Sequence, residues 1–249
     1  MLTDALHHLI INLDVQDSGQ RTNPGQLTLR DVVHDVVRSA FTATGIDLRQ
    51  PPEDRGDGVL LVLPAAVPKQ QMVGRWVEEL YQTLRGRNSQ LREPVRVRVG
   101  IHAGEVHQDD YGFAGTDVNI ACRLGSCEPA KGTLRAAPAA TAVVAVSDVI
   151  YQSVVRHGGP FIDPDSYRQH ALHTTELDGP VWLHLPGYSV PPHPKSAPES
   201  VSTPSVAAET SHRGIGSVRI KGDGVVVDRS SIGDIMIGST NRDRRRHER

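Results

Sequence analysis

The feature that most constrains this chain is an alternation, kept up over its first 188 residues, of short apolar runs with segments whose apolar residues recur at helical spacing. "HLIINLDV", "GVLLVLP" and "TAVVAVS" read as buried strands. "LTLRDVVHDVVRSAFTATG" and "KQQMVGRWVEELYQTLRGRN" read as amphipathic helices, the first closed by Gly45, the second presenting Met72, Trp76 and Leu80 on one core face. "VRVRVGIHAGEV" alternates Val with Arg before turning wholly apolar, so it enters the sheet from an exposed end. A glycine-containing loop at 109–117, a helix from near Val118, the helix "DVIYQSVVRHG" and a last strand "PVWLHLPG" complete the pattern. Strands alternating with helices predict an α/β domain covered on one or both faces. Residues 126–140 read as a loop to which no role is assigned.

After residue 188 the composition changes. Residues 189–212, rich in Pro, Ser and Ala without an apolar period, read as a linker. Residues 213–241 return to alternating small apolar residues, and 242–249, "RDRRRHER", form a solvated basic end. A formal charge of −2 gives no field that would gather nucleic acid, so no such partner is expected. Two cysteines, Cys122 and Cys127, make no disulfide framework and point to a reducing, cytoplasmic setting. They read as packed thiols. No segment approaches the roughly 20 apolar residues of a membrane span, and the N-terminus lacks the basic start of a signal peptide.

Two carboxylates stand where chemistry needs them. Asp14 ends the first strand, and Asp57 sits between two glycines before the second, in "RGDGVLLVLP". If those strands are neighbours the carboxylates converge, and such a pair suits Mg²⁺ or Mn²⁺, which take oxygen ligands and keep water. Gly-Asp-Gly is also what an ordinary hairpin tip uses. The acid- and histidine-rich "HAGEVHQDD" (His102, Glu105, His107, Asp109, Asp110) does not share a face at strand-and-turn spacing, so zinc is not expected there.

Taken in order, "LIINLDVQD", "RGDGVLLVLP", "VRVRVGIHAGEV" and "GTDVNIACRL" resemble the successive signatures of the class III nucleotidyl cyclase homology domain, over residues 8–186 and in a style similar to its actinobacterial type. The resemblance implies a ferredoxin-like α+β fold, a mixed sheet with helices packed on it. It implies that Asp14 and Asp57, 43 positions apart, hold Mg²⁺ or Mn²⁺. Asn119 would orient the ribose and Arg123 stabilise phosphate charge during cyclisation, while Val15, Gln16, Asp17 and Ser18 would hold the triphosphate through backbone N–H groups. Glu53 occupies a base-reading position, where a carboxylate accepts from guanine, and its partner position is Gly112. Metal and Asn–Arg halves come from different protomers, so a homodimer is implied.

The implied activity is conversion of a nucleoside triphosphate to a 3′,5′-cyclic nucleotide and pyrophosphate. One departure stands against it: the family's late lysine should fall near Thr174 or Thr175, and no lysine occurs between Lys131 and Lys195. The alternative is a degenerate cyclase-like module that dimerises or senses nucleotide. Within 214–241, "IMIGSTN" resembles the core of RIP homotypic interaction motifs and bacterial amyloid signalling sequences, which implies recruitment of an effector protein in a conflict system.

Overall fold

The computed structural model describes residues 4–48 and 50–195. The expected β-prone segment 213–241, the basic end 242–249 and most of the expected linker lie outside them. The centre of the fold is β1 (Leu6–Val15), which pairs antiparallel with β3 (Gly58–Pro64) on one side and β4 (Val97–Asp109) on the other. Residues 9–13 of β1 are all buried because both faces of the strand are covered. Leu9, Ile11 and Leu13 share one core with α1 (Asn23–Thr44) and α3 (Val77–Asn88). Ile10 faces the other side, where it clusters with Val118 and Ala121 of α4 (Thr116–Ser126).

The strand order is β2-β3-β1-β4-β6-β8-β7, with β2 (Glu53–Asp54), β6 (Ala142–Ser147), β7 (Tyr167–His173) and β8 (Asp178–His184). A short β5 (Gly112–Ala114) folds back on the end of β4. Only the β4–β6 pair is parallel among the described strands, so the sheet is mixed, as expected. α1 starts at Asn23, ahead of its first apolar residue, because the Thr22 hydroxyl accepts from the Gly25 N–H and Pro24 tolerates the first turn. Gly45, at φ 70°, closes it as the sequence implies. The second helix is interrupted: α2 (Lys69–Gln71) passes through a widened π-type turn, Met72–Trp76, into α3.

Four places differ from expectation. Residues 126–140 are not a loop: α5 (Glu128–Ala136) occupies most of them, burying Ala130, Gly132, Thr133 and Leu134 beneath it. Its buried face is mostly small residues around Leu134, and Pro129 and Gly132 within it read as loop formers. Arg96 does not mark an exposed strand end either. Its guanidinium donates to the carbonyls of Leu134, Ala137 and Ala140, the last two at 2.7 and 2.8 Å, and so satisfies the C-terminal end of α5. The edge strand β7 appears where no strand was expected, because "YRQHALH" carries few β-formers. The helix after β6 is shorter than read, α6 (Asp148–Ser153) giving way to a 3₁₀ turn.

Beyond β8 the chain stays on the domain as far as Lys195. Its N–H donates to Gly132 (3.0 Å), its carbonyl accepts from Arg135 (2.9 Å), and Pro191 accepts from Arg168 (2.8 Å). No helix among the described residues is long and apolar enough to cross a membrane. In the larger core Phe41 of α1 tilts against the fully buried Trp76 at 5.6 Å between ring centroids. Phe41→Ala should cost about 3–5 kcal/mol of unfolding free energy, read by urea titration, because the helices cannot close the void.

Candidate active site

Register brings Asp14 and Asp57 to the same end of the sheet. In the β1–β3 ladder Asp14 lies opposite Gly58, so the residue before β3 sits at the end of β1, and the Val15 N–H donates to the Asp57 carbonyl at 3.2 Å. The approach is possible only without a side chain at 58: a Cβ there would lie 2.1 Å from the Leu13 carbonyl oxygen. The hairpin is ordinary in its chemistry, with Gly56 at φ 88° and the Arg55 N–H donating to the Gly58 carbonyl (2.9 Å). What aims it is Asp54. Its carboxylate accepts from the Gly56 N–H (2.8 Å), from Arg30 (2.7 and 2.8 Å) and from His34 (2.8 Å), tying the hairpin to α1. These bonds, the Gly56 N–H foremost, hold its pKa down at about 2.

The turn after β1 contributes to the same place. The Ser18 hydroxyl donates to the Asp57 carboxylate at 2.5 Å. Of the four N–H groups assigned to the triphosphate, those of Val15 and Gln16 are engaged by the Asp57 and Arg96 carbonyls. Those of Asp17 and Ser18 have no backbone acceptor among the described residues, and Asp17 is in the left-handed region at φ 58°. Beside Asp57 a cavity of about 570 Å³ is lined by Ser18, Asn23, Gln26, Arg30 and Arg55.

The sequence reading missed Arg98. Buried in β4 directly across from Asp14, it donates to the Asp14 carboxylate and to the Gln16 side chain. Its Nε is buried with no partner among the described residues. A buried guanidinium is expensive unless paired, and its partner here is one of the two carboxylates expected to carry a metal. The signal that could have found it is the two-residue alternation with Val97 and Val99, but which face that is, and that Asp14 lies across from it, is a matter of strand pairing.

Asn119 and Arg123 both lie on the exposed face of α4, one turn apart, as expected. Among the described residues no hydrogen bond or ion pair joins them to Asp14 or Asp57. Arg123 instead donates from Nε and Nη2 to Glu176 at 3.3 and 3.5 Å. Glu53 and Gly112 are brought together: a Cβ at Gly112, whose φ of 129° favours glycine, would lie 3.3 Å from Glu53 Oε2. That oxygen is buried with no partner among the described residues, while Oε1 meets Arg55 at 3.0 Å.

No group of three or more His, Cys, Asp or Glu forms a cage among the described residues. Two carboxylates at one sheet end suit an ion that keeps much of its water, as Mg²⁺ and Mn²⁺ do. In "HAGEVHQDD", His102 is buried between Ser147 (2.8 Å) and Asp117 (3.0 Å), and Glu105 pairs with His7, so those groups do not converge. Burial pushes both thiols up, Cys127 to about 11, which agrees with packed cysteines.

Because the Asp54 pKa is depressed in the folded protein, the stability it contributes is complete above its usual value of 3.8 and is lost as pH falls through about 2. Asp54→Asn should therefore flatten the fall in stability over that window, measured by denaturant titration at a series of acid pH values.

No protein-family model matches the sequence, and no curated protein matches it. Solved structures do. The guanylyl cyclase Cya2 aligns with a TM-score of 0.52 at 19% identity, over 74% of this chain and 93% of that one. An adenylate/guanylate cyclase/hydrolase from Silicibacter pomeroyi gives 0.53 at 18% identity, over 75% and 99%. The catalytic core of a rhodopsin-guanylyl cyclase with converted specificity, in complex with ATPαS, gives 0.51 at 16% identity, over 74% and 98%. At these identities the likeness is one of fold, and the described part of the chain has the fold of the adenylyl/guanylyl cyclase catalytic domain.

Proposed function

We propose that the protein is a homodimeric, metal-dependent nucleotidyl cyclase that converts a nucleoside triphosphate to a 3′,5′-cyclic nucleotide and pyrophosphate. The observation that carries this reading is the register that sets Asp57 beside Asp14 at one sheet end, with Ser18 bonded to the first carboxylate and Arg98 to the second. Asp14 and Asp57 would hold Mg²⁺ or Mn²⁺, which when bound activates the ribose 3′-hydroxyl and offsets phosphate charge. The Asp17 and Ser18 N–H groups can donate to triphosphate oxygens. Arg98 supplies a buried positive charge against Asp14 and the Gln16 side chain. Across the dimer, Asn119 orients the ribose and Arg123 meets the charge that builds on the phosphate as the ring closes.

Glu53 favours guanine: its Oε2 is a buried acceptor with no partner among the described residues, the kind of group that N1–H or N2–H₂ of guanine would satisfy, and it lies against Gly112, which has no side chain to cover it. A second reading has a specific observation behind it. The β7–β8 tip carries no lysine, and Arg123 is already engaged there by Glu176. This supports a nucleotide-sensing adaptor that recruits an effector through residues 214–241.

The test is incubation of the full chain with Mn²⁺ and each of ATP, GTP, CTP and UTP, with the product mass read out. Cyclic GMP is expected as the main product, with a loss on the order of 10²–10³ in rate for Asp57→Ala and for Arg123→Ala. Product that survives Asp57→Ala would end the enzyme reading. Mixing the two inactive variants should restore activity, because a heterodimer contains one site with both intact halves; mixtures that stay silent rule out the shared site.

A further inference from the structure

The β7–β8 hairpin bears on this site through its tip. His173 and Asp178 are its last pair, and beyond them the Thr174 N–H donates to the Leu177 carbonyl (2.8 Å) while the Leu177 N–H donates to the Thr174 hydroxyl (3.0 Å). Thr175 and Glu176 therefore project from a closed turn. Leu177 packs into the cluster that holds Ile120 and Leu124 of α4, which fixes the tip against the helix bearing Arg123. From that position Glu176 reaches the Nε–Nη2 edge of Arg123, the edge a guanidinium uses to grip a phosphate with two parallel bonds. The Glu176 side chain is only 20% exposed against 55% for Arg123, so the carboxylate is the enclosed partner. The Arg123 bond keeps Glu176 below the usual carboxylate range, hence ionised at neutral pH.

Resting on the cyclase reading above, we propose that Glu176 is a positioning residue that occupies the Arg123 guanidinium and competes with the phosphates of the substrate for it. Substrate engages Arg123 only when the tip carboxylate gives way. The arrangement reverses the charge the family resemblance leads one to expect at this tip: an anion, Glu176, stands next to Thr174 and Thr175, where a lysine would draw phosphate in.

The experiment measures binding of the 3′-deoxy forms of the four nucleoside triphosphates, which lack the attacking hydroxyl. The full chain is titrated in Mn²⁺ by calorimetry as wild type, Glu176→Gln, Arg123→Gln and the double variant, beside steady-state rates on the ordinary triphosphates. Glutamine keeps the size of the tip side chain and removes its charge. Glu176→Gln should tighten binding roughly fivefold, the upper end for an exposed ion pair. The gain should vanish in the Arg123→Gln background, and any rate change should fall on KM rather than kcat. Glu176→Lys should tighten binding further.

Unchanged affinity in Glu176→Gln, equal tightening without Arg123, or no binding by Glu176→Gln at all would each overturn the proposal. The two readings separate cleanly. A shift in affinity that depends on Arg123, without cyclic product from any variant, rejects the cyclase and keeps the Glu176 role; product with an affinity indifferent to Glu176 does the reverse.

Discussion

The constraint on which the rest depends is the register of β1 between β3 and β4. Both faces of β1 are buried, so a slip by one residue would exchange Leu9, Ile11 and Leu13 with Ile10 and Asn12 across the sheet and set each against the wrong core. That same register places Gly58 and Arg98 on either side of Asp14. Stability of the core and geometry of the carboxylate pair are thus one choice, made by the apolar residues. The glycine at 58 removes the only side chain that would hold the hairpin off.

Around that frame, the charged groups of the site are engaged within the chain. Asp14 is paired with Arg98, Asp57 accepts from Ser18, Glu53 meets Arg55, and Arg123 meets Glu176. These contacts differ in strength. The Arg98 pair is enclosed, with the guanidinium 8% exposed, whereas Arg123 is more than half exposed and its bonds are long. A cation binding at the carboxylates would draw on Asp14 without freeing Arg98 from the interior, while a phosphate meeting Arg123 has only a surface contact to displace. On the proposed reading, the Asp14–Arg98 end is rigid and the Arg123 end exchangeable.

Much of the fold was legible because it is local. The buried strands, the amphipathic faces of α1 and α3, Gly45 as a cap, and Asn119 and Arg123 one turn apart follow from periodicities of two and 3.6 that adjacent residues carry by themselves. α5 was not legible, since its apolar stripe, Cys127, Ala130, Leu134 and Ala137, is mostly small residues and is broken up by Pro129 and Gly132, which read as loop. β7 was not, since an edge strand is recruited by its partner β8 more than by its own residues.

By itself, then, the sequence determined most of the segments that form strands and helices, that a carboxylate closes the first strand, and that another rides a glycine hairpin before the second. Only the tertiary structure decided what those side chains face. Arg98 was read as the exposed start of a strand and is the buried partner of Asp14; Glu176 had no role in the sequence and stands on Arg123, 53 positions away. The physical reason is that strand pairing and hairpin packing join residues far apart in the chain. No local period encodes which of them will share an ion pair.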